Sequence, residues 1–127
     1  MKNITRNRIV ATCLLTIMAS IAQADPAVRV FVVEAKDAAA YLKEIDRGRA
    51  IMKRLRSVAT VRVLQARFAG TNVGHVVTLM EFPEGIAQML TEQKRLSEDP
   101  EFAAWNANLE NGHLIRSDSI YSERVAQ

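Results

Sequence analysis

The sequence predicts an α+β fold: a four-stranded antiparallel sheet with two helices packed on one face. Three observations carry that expectation. Two long segments place apolar residues at three- and four-residue steps, the mark of an amphipathic helix. Four short segments are rich in β-branched residues and bounded by turn formers, the mark of strands. Their order along the chain is strand, helix, strand, strand, helix, strand.

Residues 1–24 stand apart from that pattern. Lys2, Arg6 and Arg8 form a positive head, Ile9 to Ile21 carries no charge, and Ala22-Gln23-Ala24 is a small-x-small cleavage site. This is the three-part layout of a secretory signal peptide, so a periplasmic or secreted protein is expected. The apolar run falls short of the roughly 20 residues a membrane-spanning helix needs. No membrane span is expected after cleavage. Residues 25–127 then form a single domain.

Cleavage changes the charge reading. Of the 17 Lys and Arg, Lys2, Arg6 and Arg8 lie in the first 24 residues, and all 14 Asp and Glu lie after them, so the remainder is balanced. That removes the basic footprint of a nucleic-acid binder. Cys13, the single cysteine, leaves as well. The exported chain has no thiol for a Cys nucleophile, an iron–sulfur cluster, a covalently attached haem or a disulfide. No cofactor is expected.

Val28 to Glu34 is short and β-branched, with apolar residues on both parities, as in a strand covered on both faces. Asp37 caps the first helix, in which Tyr41, Leu42, Ile45, Gly48, Met52 and Leu55 form an apolar stripe. Gly48 on that stripe suggests close approach to another backbone. Thr60 to Phe68 and His75 to Phe82 are strands joined through Gly70, Asn72 and Gly74, a hairpin. Pro83-Glu84-Gly85 ends the third strand. Ile86, Met89, Leu90 and Leu96 follow at helical spacing. Asp99-Pro100-Glu101 then resets the helix, with Asp as cap and Pro at its first position. Phe102, Trp105 and Leu109 continue the apolar stripe until Asn111-Gly112 ends it. His113 to Val125 is the last and weakest strand.

The order βαββαβ is the split βαβ, or ferredoxin-like, arrangement. The first three strands are apolar on both parities, so the sheet face away from the helices cannot be left to water. A second copy packed sheet to sheet would cover it, and a homodimer is expected.

At these residues the chain resembles the dimeric α/β-barrel superfamily, with NIPSNAP-like and antibiotic-biosynthesis-monooxygenase-like proteins as the nearest match. The resemblance runs over nearly all of residues 28–125. It rests on Tyr41-Leu42-Lys43-Glu44, on Val61 to Ala66 followed by Gly70-Thr71-Asn72-Val73-Gly74, on Glu81-Phe82-Pro83, and on Asp99-Pro100-Glu101-Phe102 with Trp105. These mark turns, caps and packing, and they bear on fold more than on reaction. The resemblance implies a cleft between sheet and helices as the ligand site. It also implies two functions: binding of a small apolar or aromatic ligand, or the activity of a cofactor-independent monooxygenase or haem-handling enzyme.

No catalytic residue can be assigned from sequence. There is no Gly-rich phosphate loop, no G-x-S-x-G and no H-E-x-x-H. The candidate ligand-binding residues are Tyr41, Gln65, Arg67, His75 and Trp105. His75 opens a strand directly after Gly74, where it can be a general base or axial haem ligand at the cleft mouth, or simply a hydrogen-bonded residue at a hairpin end. Trp105 can line an aromatic pocket, although its spacing from Phe102 and Leu109 already explains it as core. Gln65 and Arg67 share the parity of Val61 and Val63, and His75 that of Val77, Leu79 and Glu81. Alternation alone does not say which parity faces the helices. Lys43, Arg47, Arg49, Lys53, Arg54 and Arg56 read as a solvated helix face, partly balanced by Glu44 and Asp46.

Overall fold

The β-branched segment after Pro26 forms the central strand β1 (Ala27–Ala35), and the rest of the fold is assembled on it. The computed structural model describes residues 25–67, 70–111 and 113–124. The expected signal peptide, the Phe68 end of the second strand and Val125 lie outside them. After β1 come α1 (Ala38–Arg54), β2 (Thr60–Gln65), a single 3-10 turn at Gly70–Asn72, β3 (Val76–Phe82), α2 (Gly85–Ser97), α3 (Pro100–Glu110) and β4 (His113–Ser122). The sheet order is β2-β3-β1-β4, antiparallel throughout. Pro100 at the first position of α3 breaks the second helical segment into two helices, because Pro has no N–H to continue the ladder.

Local signals account for the element ends. Asp37 caps α1 by accepting the Ala40 N–H at 3.0 Å, and Asp99 caps α3 by accepting that of Phe102 at 2.9 Å. Past the end of α1, Arg56 takes a left-handed conformation with φ +52°, and the Ser57 N–H closes on the Met52 carbonyl at 2.9 Å. This is the wrap that Gly usually supplies at a helix end. The hairpin between β2 and β3 passes through Gly70 and Gly74, both at positive φ. Only Gly takes that conformation without steric penalty.

Register decides the two faces of the sheet. Val33 pairs with Val76 and Phe31 with Thr78, while Val63 lies opposite Thr78 from the other side. These residues, with Val61, Arg29 and Met80, face the helices. The opposite face carries Val28, Val30 and Val32 of β1, Val77 and Leu79 of β3, Leu64 of β2, and Leu114 and Tyr121 of β4. In β4 a bulge opposite Val32 and Val33 leaves Arg116 without a pairing partner, and Ile115 is set opposite Val33. Among the described residues, no segment of the chain covers this apolar face.

The core lies between the helix face and the helices. Val33, Tyr41, Ile45, Ile51, Val76 and Trp105 are buried together. The Trp105 indole rests on α1 at Gly48 and donates its N–H to the Glu44 carbonyl at 2.8 Å. The close approach expected at Gly48 is therefore to a ring and not to another backbone. Arg54 at the end of α1 reaches Asp99 at 3.1 Å and Glu101 at 2.8 Å, tying α1 to the start of α3. Buried Glu92 does similar work for α2. It accepts two guanidinium N–H bonds from Arg95 and the Val58 N–H, and Arg95 also donates to the Leu55 carbonyl. Arg95 and the other donors hold the Glu92 carboxyl below the ordinary range. The expected stripe of α2 is only half realised. Met89 and Leu96 are buried with Glu92, whereas Ile86 and Leu90 are exposed, as is Leu42 on α1. Ile86 and Leu90 each lie one position past a buried residue (Gly85 and Met89), which turns them about 100° away from the sheet.

Candidate functional site

Between the helix face of the sheet and the three helices runs a cleft of about 220 Å³. Its floor is Phe31, Val33, Val61, Thr78 and Met80 of the sheet. Its walls are Tyr41, Ile45 and Met52 of α1, Leu96 of α2, and Phe102, Trp105 and Leu109 of α3. The lining is mostly apolar, with few polar groups, as small-molecule sites are. Ile115, Arg29 and Arg49 also line it and are partly or well exposed, so its mouth lies beside them.

Two polar atoms at the cleft lack partners. The Thr78 hydroxyl oxygen is buried without a hydrogen bond of acceptable geometry, and so is Gln93 Nε2. Thr78 as a residue is only 5% exposed. Orphaned buried polar atoms cost about 1–3 kcal/mol each and are uncommon in native interiors. Burial pushes the Tyr41 phenol above its ordinary value, and the neighbouring Thr78 hydroxyl offsets part of the rise. Tyr41 therefore stays protonated and can donate. Its ring meets that of His113 edge-on at 4.7 Å. At the mouth, the Arg29 guanidinium stacks over Phe31 at 4.5 Å and holds Asp118 in a two-pronged pair at 2.9 and 2.7 Å.

No family model and no curated protein matches the chain. Solved structures do. SnoaB from Streptomyces nogalater, a cofactor-independent oxygenase, aligns over 81% of this chain and 97% of its own, with 15% identity and a TM-score of 0.61. A NIPSNAP family protein from Agrobacterium tumefaciens aligns over 81% and 88%, with 14% identity and a TM-score of 0.61. A putative antibiotic biosynthesis monooxygenase from Bordetella bronchiseptica aligns over 81% and 99%, with 8% identity and a TM-score of 0.53. This chain has the ferredoxin-like fold of NIPSNAP and antibiotic-biosynthesis-monooxygenase proteins. At such identities the likeness is one of fold.

Within this ferredoxin-like fold the five sequence candidates separate. Tyr41 and Trp105 meet in the cleft. Gln65 has the parity that faces the helices but lies in a small groove beside Ala38, Leu42, Val63, Leu64 and Val76, away from the cleft. Arg67 lies past the end of β2, exposed and outside the cleft lining. His75 takes the opposite parity. Its Nε2 lies 3.9 Å from a Glu34 carboxylate oxygen on the open sheet face, so it is not at the cleft mouth as a base or haem ligand. The correction follows from register: Val76 pairs with Val33 of the core, which turns His75 outward. Thr78 and Gln93 were not singled out in the sequence. A Thr in a β-branched strand and a Gln in a polar helical stretch carry no signal of their own.

Proposed function

We propose that this protein is an exported homodimer that pairs through its open sheet face and binds a small apolar or aromatic ligand in the sheet–helix cleft. The observation that carries the ligand reading is the cleft itself: an apolar space into which Tyr41, Thr78 and Gln93 bring polar groups, two of them unpartnered. The dimer reading is supported by the apolar strip of Val28, Val30, Val32, Val77 and Leu79, flanked by the Arg62–Glu81 and Arg116–Glu34 ion pairs. An apolar centre with a charged rim is the anatomy of a protein interface. Export is supported by the layout of residues 1–24.

Titration of the purified chain with naphthalene, followed by the NMR signal of the Trp105 indole N–H, tests the ligand reading. A saturable shift supports it. An unmoved signal up to the solubility of naphthalene refutes it.

A second reading is catalytic. SnoaB is a cofactor-independent oxygenase of this fold, and the cleft offers a raised Tyr phenol and unpaired polar groups on which an electron-rich aromatic could sit. Dioxygen uptake on adding 1,4-dihydroxynaphthalene, above the rate of its spontaneous oxidation and lost in Tyr41→Phe, is the expected signature. A rate equal to the spontaneous one removes this reading and leaves ligand binding standing.

A further inference from the structure

The charged groups that line the cleft among the described residues have one sign. They are two guanidinium groups, Arg29 and Arg49, with no Asp or Glu among those residues. The two unpartnered atoms agree with that sign. Gln93 Nε2 can only donate, and the Thr78 hydroxyl beside the Tyr41 phenol carries one O–H. Arg29 is already neutralised by Asp118. Arg49 is not held to the same degree. Its one ion pair among the described residues, with Asp46 a turn away on α1, is 3.5 Å long and exposed, the kind of contact that contributes little. A cationic group at the mouth of a greasy cleft, with donors along its wall, selects a molecule with an apolar body and an acceptor oxygen bearing negative charge.

Resting on the reading of this cleft as a ligand site, we infer that its ligand is an apolar acid: a ring or short hydrocarbon body ending in one carboxylate. The body fills the space between Phe31, Ile45, Met52 and Trp105. The carboxylate takes N–H bonds from Arg49 at the mouth and from the Gln93 amide. A planar carboxylate matches the guanidinium fork with two parallel bonds, which a neutral amide or ester cannot do. The low dielectric of the apolar walls strengthens that contact relative to water.

The test compares two probes of one shape, 2-naphthoate and its uncharged amide 2-naphthamide. Binding is measured by calorimetry and by the Trp105 indole N–H signal. The expected result is at least tenfold tighter binding of naphthoate. Arg49→Gln should erase that preference, with naphthoate losing at least tenfold more affinity than naphthamide. Arg49 is well exposed, so the variant does not endanger folding. Equal affinities for the two probes, or a preference that survives Arg49→Gln, would overturn the acid inference and leave the cleft reading intact. Failure of both probes to bind or to move the Trp105 signal would refute the cleft reading and the inference with it.

Discussion

A Cβ built at Gly48 would lie 2.0 Å from Cζ2 of Trp105, well inside any real contact. The indole therefore lies directly on the α1 backbone and helps shape one wall of the cleft. By helix propensity alone, Gly48→Ala would stabilise the chain by about 1 kcal/mol. Here the opposite sign is expected, a loss of about 1–3 kcal/mol, because the ring must leave its seat and its bond to Glu44. Urea unfolding gives the sign, and red-shifted Trp105 emission reports the displaced ring. A stabilised variant with unchanged emission would contradict this packing.

The Asp99 cap makes stability depend on pH. The Phe102 N–H, followed by Arg54, holds the Asp99 carboxyl below its ordinary range. A carboxyl depressed in the folded state stabilises at neutral pH, and the contribution is lost as pH falls through the ordinary carboxylate range toward the folded value. Asp99→Asn keeps the capping oxygen but removes the charge. Its unfolding midpoint in urea is expected to match the parent at pH 3 more closely than at pH 7. A constant difference between the two proteins at both pH values would argue against it.

Arg56 is the one non-glycine residue at positive φ among the described residues. A side chain in that conformation costs about 1–2 kcal/mol, partly offset by the greater unfolded-state freedom of Gly. Arg56→Gly is expected to raise stability by about 0.5–1 kcal/mol, read from thermal or urea unfolding. Destabilisation would mean that the Arg56 side chain contributes a contact outweighing the strain.

Thr78 sets stability against binding. Its hydroxyl is buried beside the Tyr41 phenol without a hydrogen bond of acceptable geometry. Thr78→Val keeps the shape, so the free protein should be as stable as the parent or up to about 1 kcal/mol more so. The same change should weaken 2-naphthamide and 2-naphthoate alike, by roughly fivefold, by removing a donor from the cleft wall. Unchanged affinity for both probes would show that the hydroxyl does not reach the ligand.

Val30 lies opposite Leu79 in the middle of the open sheet face. Val30→Glu places a charge at the centre of the proposed pairing surface, where desolvation is costly. Sedimentation at micromolar concentration should give a dimer for the parent chain and a monomer for the variant, both with the same circular dichroism. A parent monomer at that concentration would end the pairing proposal.

The sequence by itself determined the parts of this protein that depend on near neighbours. The order of strands and helices follows from local spacing. The caps at Asp37 and Asp99, the break at Pro100 and the hairpin through Gly70 and Gly74 are each written within a few residues, because a cap or turn is satisfied by backbone groups that close along the chain. Tyr41 and Trp105 were legible as residues of buried helix faces for the same reason, since the apolar stripe of an amphipathic helix turns toward the core. Only the tertiary structure decided which parity of each strand faces the helices. That depends on the pairing of Val33 with Val76 and on the bulge at Arg116, between residues some 40 to 80 positions apart. It turned His75 outward and Thr78 inward, while the end of β2 at Gln65 left Gln65 in a separate groove and Arg67 beyond the strand. A polar atom becomes an orphan only when residues distant in sequence shut water away from it, and no local pattern records that.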